Sequence, residues 1–171
     1  MSVTSETLIV YPSERLTRHD LPASSRARAV ETLNDVLAHT LDLELQARQA
    51  HWNITGLNFV ALQEMFGRLA AKLNSSSDVI AERVAQLGGI AEGTAGTIQR
   101  RSALNGHPPG ADAPAHLAML ATATAATAAI TRHALHEVDP KDVVSTDILT
   151  GVLRELEWWL WHLEAHLADE M

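Results

Sequence analysis

The chain has no cysteine. This removes disulfides, thiolate zinc sites and cysteine nucleophiles together, and leaves imidazole and carboxylate as the strong metal donors. Lysine is nearly as scarce: Lys72 and Lys141 are the only two in 171 residues, and the formal net charge is -8. A sequence-independent grip on nucleic acid is built from clustered Lys and Arg, so this composition argues against one. Aromatic residues make up only 4% of the chain, yet three of the four tryptophans, Trp158, Trp159 and Trp161, crowd one late segment and mark a packed cluster there. No stretch approaches the roughly 18 uninterrupted apolar residues of a membrane span, and the start MSVTSETLIVYPSERL lacks the basic and apolar regions of a signal peptide. A soluble, cytoplasmic protein without a membrane partner is the expectation.

What is present is helical periodicity. Residues 1–22 are polar, contain Pro12 and Pro22 and keep no period, so they read as a flexible tail that orders only by docking; residues 23–171 read as one domain. Val30, Leu33, Leu37, Leu41 and Leu45 predict a first helix from near Ser24 to His51, followed by a turn at Asn53, Gly56 and Asn58. A second helix is predicted over about 59–87. Leu62, Phe66, Leu69, Leu73, Ile80, Val84 and Leu87 hold one phase through the Asn74–Ser77 run, with Ser76 in the skipped slot, so that run is no break. Gly88 and Gly89 stop it. Residues 90–111, rich in glycine and proline, form a long crossover with a short helix around 97–104. An Ala/Thr-rich helix at about 112–138 ends before Pro140, and a last helix runs over about 143–168 with Ile148, Leu149, Val152, Leu156, Leu160, Leu163 and Leu167 inward. Strand alternation is absent. Two short turns and one long connection describe an all-α, ferritin-like four-helix bundle with a long crossover between the second and third helices.

The chemistry-bearing segment is HWNITGLNFVALQEMFGRLAAKLNSSSDVIAERVAQLGG, from His51 to Gly89. Asp78 and Glu82 share one face of the second helix, since four residues advance it by about 400°. Judged against Ile80 and Val84, that face points away from the bundle core. His51 lies at the other end of the helix pair, and the 11 residues from Gly67 to Asp78 span about 16 Å. One chain cannot bring the imidazole to the carboxylates. A symmetric antiparallel pairing of two second helices can, with two equivalent sites per dimer.

That segment, together with LPASSRARAVETLNDVLAHTLDLELQARQAHWN and STDILTGVLRELEWWLWHLEAHL, resembles the Dps family of miniferritins from about residue 21 to 168. The resemblance implies a shell of twelve subunits, oxidation of Fe2+ by hydrogen peroxide or dioxygen at twofold interfaces, and storage of ferric mineral inside. The family's ferroxidase ligands fall on His51, on positions 63 and 67, and across the interface on Asp78 and Glu82. Here the usual histidine is Gln63 and the usual aspartate is Gly67, so an imidazole and a carboxylate are missing. Gln63 keeps a neutral carbonyl that ligates weakly; Gly67 offers only space.

Two outcomes follow. Either His162 and His166, four residues apart on the last helix, supply imidazole to an iron or zinc site near His51, or the centre is degraded and the protein is a shell that binds metal slowly, contributes structurally or protects under stress. The resemblance also implies a role for Trp52 in intercepting oxidising equivalents. Arg48, one turn before it, is a candidate to pair with Asp78 or Glu82 across the interface. His19, His39, His107, His133 and His136 are read as structural or exposed. The acidic residues Glu137, Asp139, Asp142 and Asp147 are read either as an iron-attracting pore or as a plain solvated turn. Although the family name implies DNA binding, the tail carries Arg15 and Arg18 against Glu6, Glu14 and Asp20, so DNA binding is expected to be weak or absent.

Overall fold

The computed structural model describes residues 15–56, 58–108 and 110–167 of the chain. Helices α1 (Ala23–Asn53), α2 (Phe59–Gln86), α3 (Ala95–Arg101), α4 (Ala113–Glu137) and α5 (Val143–Leu167) account for most of them, and no strand occurs among the described residues. The all-α bundle with a short helix on its crossover is therefore present, and the two-glycine stop of α2 falls where the sequence puts it. Of the tail, residues 1–14 lie outside the described residues. Residues 15–22 dock: Arg15 N–H donates to the Gly88 carbonyl at 2.6 Å. Gly88 is doubly required, because its φ is +87° and a Cβ there would meet the Arg15 carbonyl oxygen at 2.8 Å.

Side-chain ties fix the topology. Ser25 O–H donates to Asp139 at 2.6 Å, and Arg28 pairs with Glu137, so α1 begins where α4 ends. Arg83 reaches Asp142 and Ser145, and Lys72 pairs with Glu155, so α2 runs antiparallel to α5. With α1 and α2 joined by a tight turn, α5 runs parallel to α1, and its last turns approach the His51 end of the bundle.

The predicted stripe of α2 is buried throughout, including Ser76. In α1 the stripe fails at its end: Leu45 is exposed and Leu43, Ala47 and Ala50 are buried instead. Steps of four residues drift about 40° each on a 3.6-residue helix, so three steps from Leu33 carry Leu45 off the core face. In α5, Leu149, Val152, Leu156 and Leu163 are buried as predicted, whereas Ile148, Leu160 and Leu167 pack only at its margin. Helix α4 is long and apolar enough by composition to cross a membrane, but it packs within the bundle. Its threonines fit there because Thr127 and Thr131 return their hydroxyls to carbonyls four residues back.

Two cationic nodes brace the frame. Arg83 is 4% exposed, donating to Asp142 Oδ1 at 2.7 Å and to Ser145 Oγ at 2.9 Å. Arg83 thus belongs to the interior, although it adjoins exposed Glu82 in the sequence. Asp142 is equally buried, and its charge is already matched within the chain by Arg83. On the crossover, Arg101 donates to Glu31, Asp35 and Glu92, and the Glu31 hydrogen bond leads the effects that raise its pKa further.

Candidate metal centre

The outer face of α2 carries a continuous stripe. Val60, Gln63, Gly67, Ala71, Asn74, Asp78 and Glu82 recur at spacings of three and four, and all are exposed or half-exposed. Beside it on α1 stand Leu45, Arg48 and Trp52, with Trp52 67% exposed. Asp78 and Glu82 enter no ion pair among the described residues, and the core packs on the opposite side of the helix.

His51 sits at the far end of this stripe. Its Nδ1 lies 2.8 Å from the Gln63 carbonyl oxygen. A carbonyl only accepts, so the neutral ring carries its proton on Nδ1 and presents the Nε2 lone pair. The main chain of Gln63 therefore sets the tautomer that a metal ligand needs. Gly67 lies directly against the same ring, since a Cβ there would meet Nδ1 at 3.1 Å and Cε1 at 3.2 Å. The imidazole thus occupies part of the space an aspartate at 67 would use.

The other sequence candidates have contacts of their own. Arg48 pairs within its own helix, donating to Glu44 at 2.8 Å. His162 points Nδ1 at the Trp158 carbonyl, 2.9 Å away, and its ring lies 3.6 Å from that of Trp158, centroid to centroid. His166 is exposed. Among the described residues of a single chain, no three His, Asp or Glu side chains gather closely enough to hold an ion.

The histidine contact that sequence reasoning missed lies on the crossover. His107 Nε2 and His116 Nδ1 are 2.6 Å apart. His116 is fully buried in the first turn of α4, where its ring meets Phe66 edge-on. A spacing of nine across a loop matches no helical or ligand pattern. His39, also buried, is structural: Nδ1 donates to the Asp35 carbonyl and Nε2 accepts from Ala103 N–H.

Burial holds both His107 and His116 below the ordinary imidazole value of 6.5, with the His116 charge adding to the effect on His107 and Asp112 opposing it at His116. Depressed folded-state values mean that the native protein binds fewer protons than the unfolded chain. The pair's contribution to stability is thus complete above about pH 6.5 and is lost as pH falls through the lower folded values. Thermal unfolding followed from pH 7.5 to 5 should show a fall in midpoint that is visibly smaller in His107→Gln. Equal slopes for the two proteins would contradict this.

The class of protein is set by bundle topology and sequence together: residues 30–171 match the model of the ferritin-like domain family. The chain belongs to that family, and within it to the Dps proteins. It is 35% identical over 156 residues to the DNA protection during starvation protein of Agrobacterium fabrum, covering 90% of this chain and 96% of that one. Among solved structures it resembles the tetragonal form of Mycobacterium smegmatis Dps, with TM-score 0.84, 29% identity and coverage of 89% and 93% of the two chains. It also resembles Microbacterium arborescens Dps in its high iron form, with TM-score 0.82, 27% identity and coverage of 90% and 99%.

Proposed function

We propose that the chain assembles into a closed homododecameric shell in the bacterial cytoplasm that binds Fe2+ at sites shared between two copies, oxidises it with hydrogen peroxide or dioxygen, and stores the ferric product. The observation that carries this reading is the arrangement of the α2 stripe. Positions 63 and 82, and positions 67 and 78, are equidistant from the midpoint between residues 72 and 73. Two such stripes laid antiparallel about that midpoint set the His51 end of one copy against Asp78 and Glu82 of the other. Small Ala71 near the centre permits close approach, and exposed Trp52 and Val60 gain an apolar covering. His51 Nε2 and two carboxylates then make a first iron position. The high iron form of a related shell is consistent with iron as the cargo.

The altered positions favour a slower oxidation centre than the full ligand set would give. Gln63 and Gly67 withhold two donors, so the second iron is weakly held. Sedimentation of the purified apo-protein should give a twelve-copy particle. Mixed with Fe2+ and substoichiometric peroxide, that particle should develop ferric absorbance at a rate cut at least tenfold by His51→Ala, whereas His162→Ala/His166→Ala should leave it unchanged. A monomer, or indifference to His51→Ala, sinks the proposal; loss of rate in the His162/His166 variant would instead establish the histidine-supplemented site. Repeating the binding arm with Zn2+ decides whether zinc shares the position.

DNA binding should be weak or absent near neutral pH, since the charge is -8 and the Arg101 guanidinium, like that of Arg83, is occupied by carboxylates. A gel shift at low salt showing tight complexes would overturn this.

A further inference from the structure

Among the described residues, two imidazoles meet away from the α2 stripe, at His107 and His116. Their rings are within 10° of parallel, with centroids 4.8 Å apart and the facing nitrogens 2.6 Å apart. A centroid separation that equals the N···N distance plus both ring radii is reached only when the nitrogens lie on the line joining the centroids. The rings are therefore edge to edge in a common plane, and their facing in-plane lone-pair axes share one line. The outer nitrogens, His107 Nδ1 and His116 Nε2, are both buried and have no hydrogen-bond partner among the described residues. Between two neutral imidazoles only one proton occupies the shared line, so whichever ring donates, one buried N–H and one buried lone pair are left unmatched.

We propose that His107 Nε2 and His116 Nδ1 form a buried, two-coordinate site for Cu(I), separate from the iron position at the outer face of α2. Collinear lone pairs suit an ion that accepts linear coordination by two imidazoles. They do not suit Zn2+ or Fe2+, which need four or more donors, and no third His, Asp or Glu joins the pair to form a chelating group among the described residues. A single positive charge also costs less to bury than two, and the carboxylate of Asp112, which caps α4 by accepting from Ala115 N–H at 3.0 Å, offsets part of that cost.

Proton balance needs no external base. When the ion takes the shared line, the ring that held the proton there carries it on its outer nitrogen instead. Both imidazoles stay neutral and no proton is released. With metal–nitrogen bonds of about 2 Å, the facing nitrogens must separate to about 4 Å. His107 can supply that movement, because it lies on the irregular segment 102–108 between Gly106 and Pro108, outside any helix.

The test is an anaerobic titration of the assembled full-length protein with Cu(I) against a chromophoric chelator, with Ag(I) as a redox-inert probe. The expected result is one equivalent per chain with a two-coordinate nitrogen signature in X-ray absorption, weakened at least tenfold by His107→Ala and unaffected by His51→Ala. His107→Ala alters a loop position and leaves the buried His116 in place, so circular dichroism should confirm an intact fold. Binding unchanged in His107→Ala, a three- or four-coordinate spectrum, or preference for Zn2+ over Cu(I) at this pair would overturn the assignment.

Discussion

Replacing Asp142 with Ala should lower the unfolding free energy by roughly 3–5 kcal/mol, because it strands a buried guanidinium without its counter-charge. Arg83 is 4% exposed and Asp142 2%, and the second carboxylate oxygen is already engaged by the Ser145 hydroxyl at 2.7 Å. Replacing the pair together, as Arg83→Met/Asp142→Leu, should recover most of the loss, since the cost arises from the unpaired charge more than from the missing attraction. Urea unfolding at fixed protein concentration measures both, the fixed concentration being needed because assembly shifts apparent stability by mass action. A loss below about 1 kcal/mol for Asp142→Ala would place the pair in the surface class instead.

The second large effect is a gain. Gln63→His/Gly67→Asp should raise the initial rate of peroxide-driven Fe2+ oxidation at least tenfold, by returning one imidazole and one carboxylate to the stripe opposite Asp78 and Glu82. The geometry places one constraint on position 67. A Cβ there meets the His51 ring at 3.1–3.2 Å, so the imidazole must give by a few tenths of an ångström while keeping its hydrogen bond to the residue 63 carbonyl. Gly67→Asp alone returns only one of the two donors and should gain less than the double variant. Stopped-flow ferric absorbance at two Fe2+ per site distinguishes them, and a double variant no faster than the natural protein would remove the ferroxidase reading of this face.

These results bear on how much the residue order reveals. Helix α2 was legible in full because seven apolar residues keep phase across a serine run, and a continuous phase has no cheaper explanation than a continuous helix. Helix α1 was legible except where a four-residue spacing outran the true turn at Leu45. The exterior placement of Asp78 and Glu82 followed from the same phase. What could not be read were partnerships between distant residues. Arg83 and Asp142 are 59 positions apart, and nothing local distinguishes a buried arginine from the exposed one that Glu82 suggests. His107 and His116 come together because the crossover folds back over the start of α4, a path that no periodicity encodes. His162 shares a helix face with His166, as their spacing requires, and its ring also lies against that of Trp158, a contact the spacing does not announce.

The crossover is secured by unlike means at its middle and at its far end. Arg101, near the midpoint, is tied to Glu31, Asp35 and Glu92 through half-exposed ion pairs, which dissolved ions screen in part. The far end rests on the contact between His107 and His116, which ionic strength leaves alone and acid disturbs. Brine and acidity are thus separate keys to different parts of a single strap, and a bundle that keeps its four long helices intact can have this one connection loosened by either.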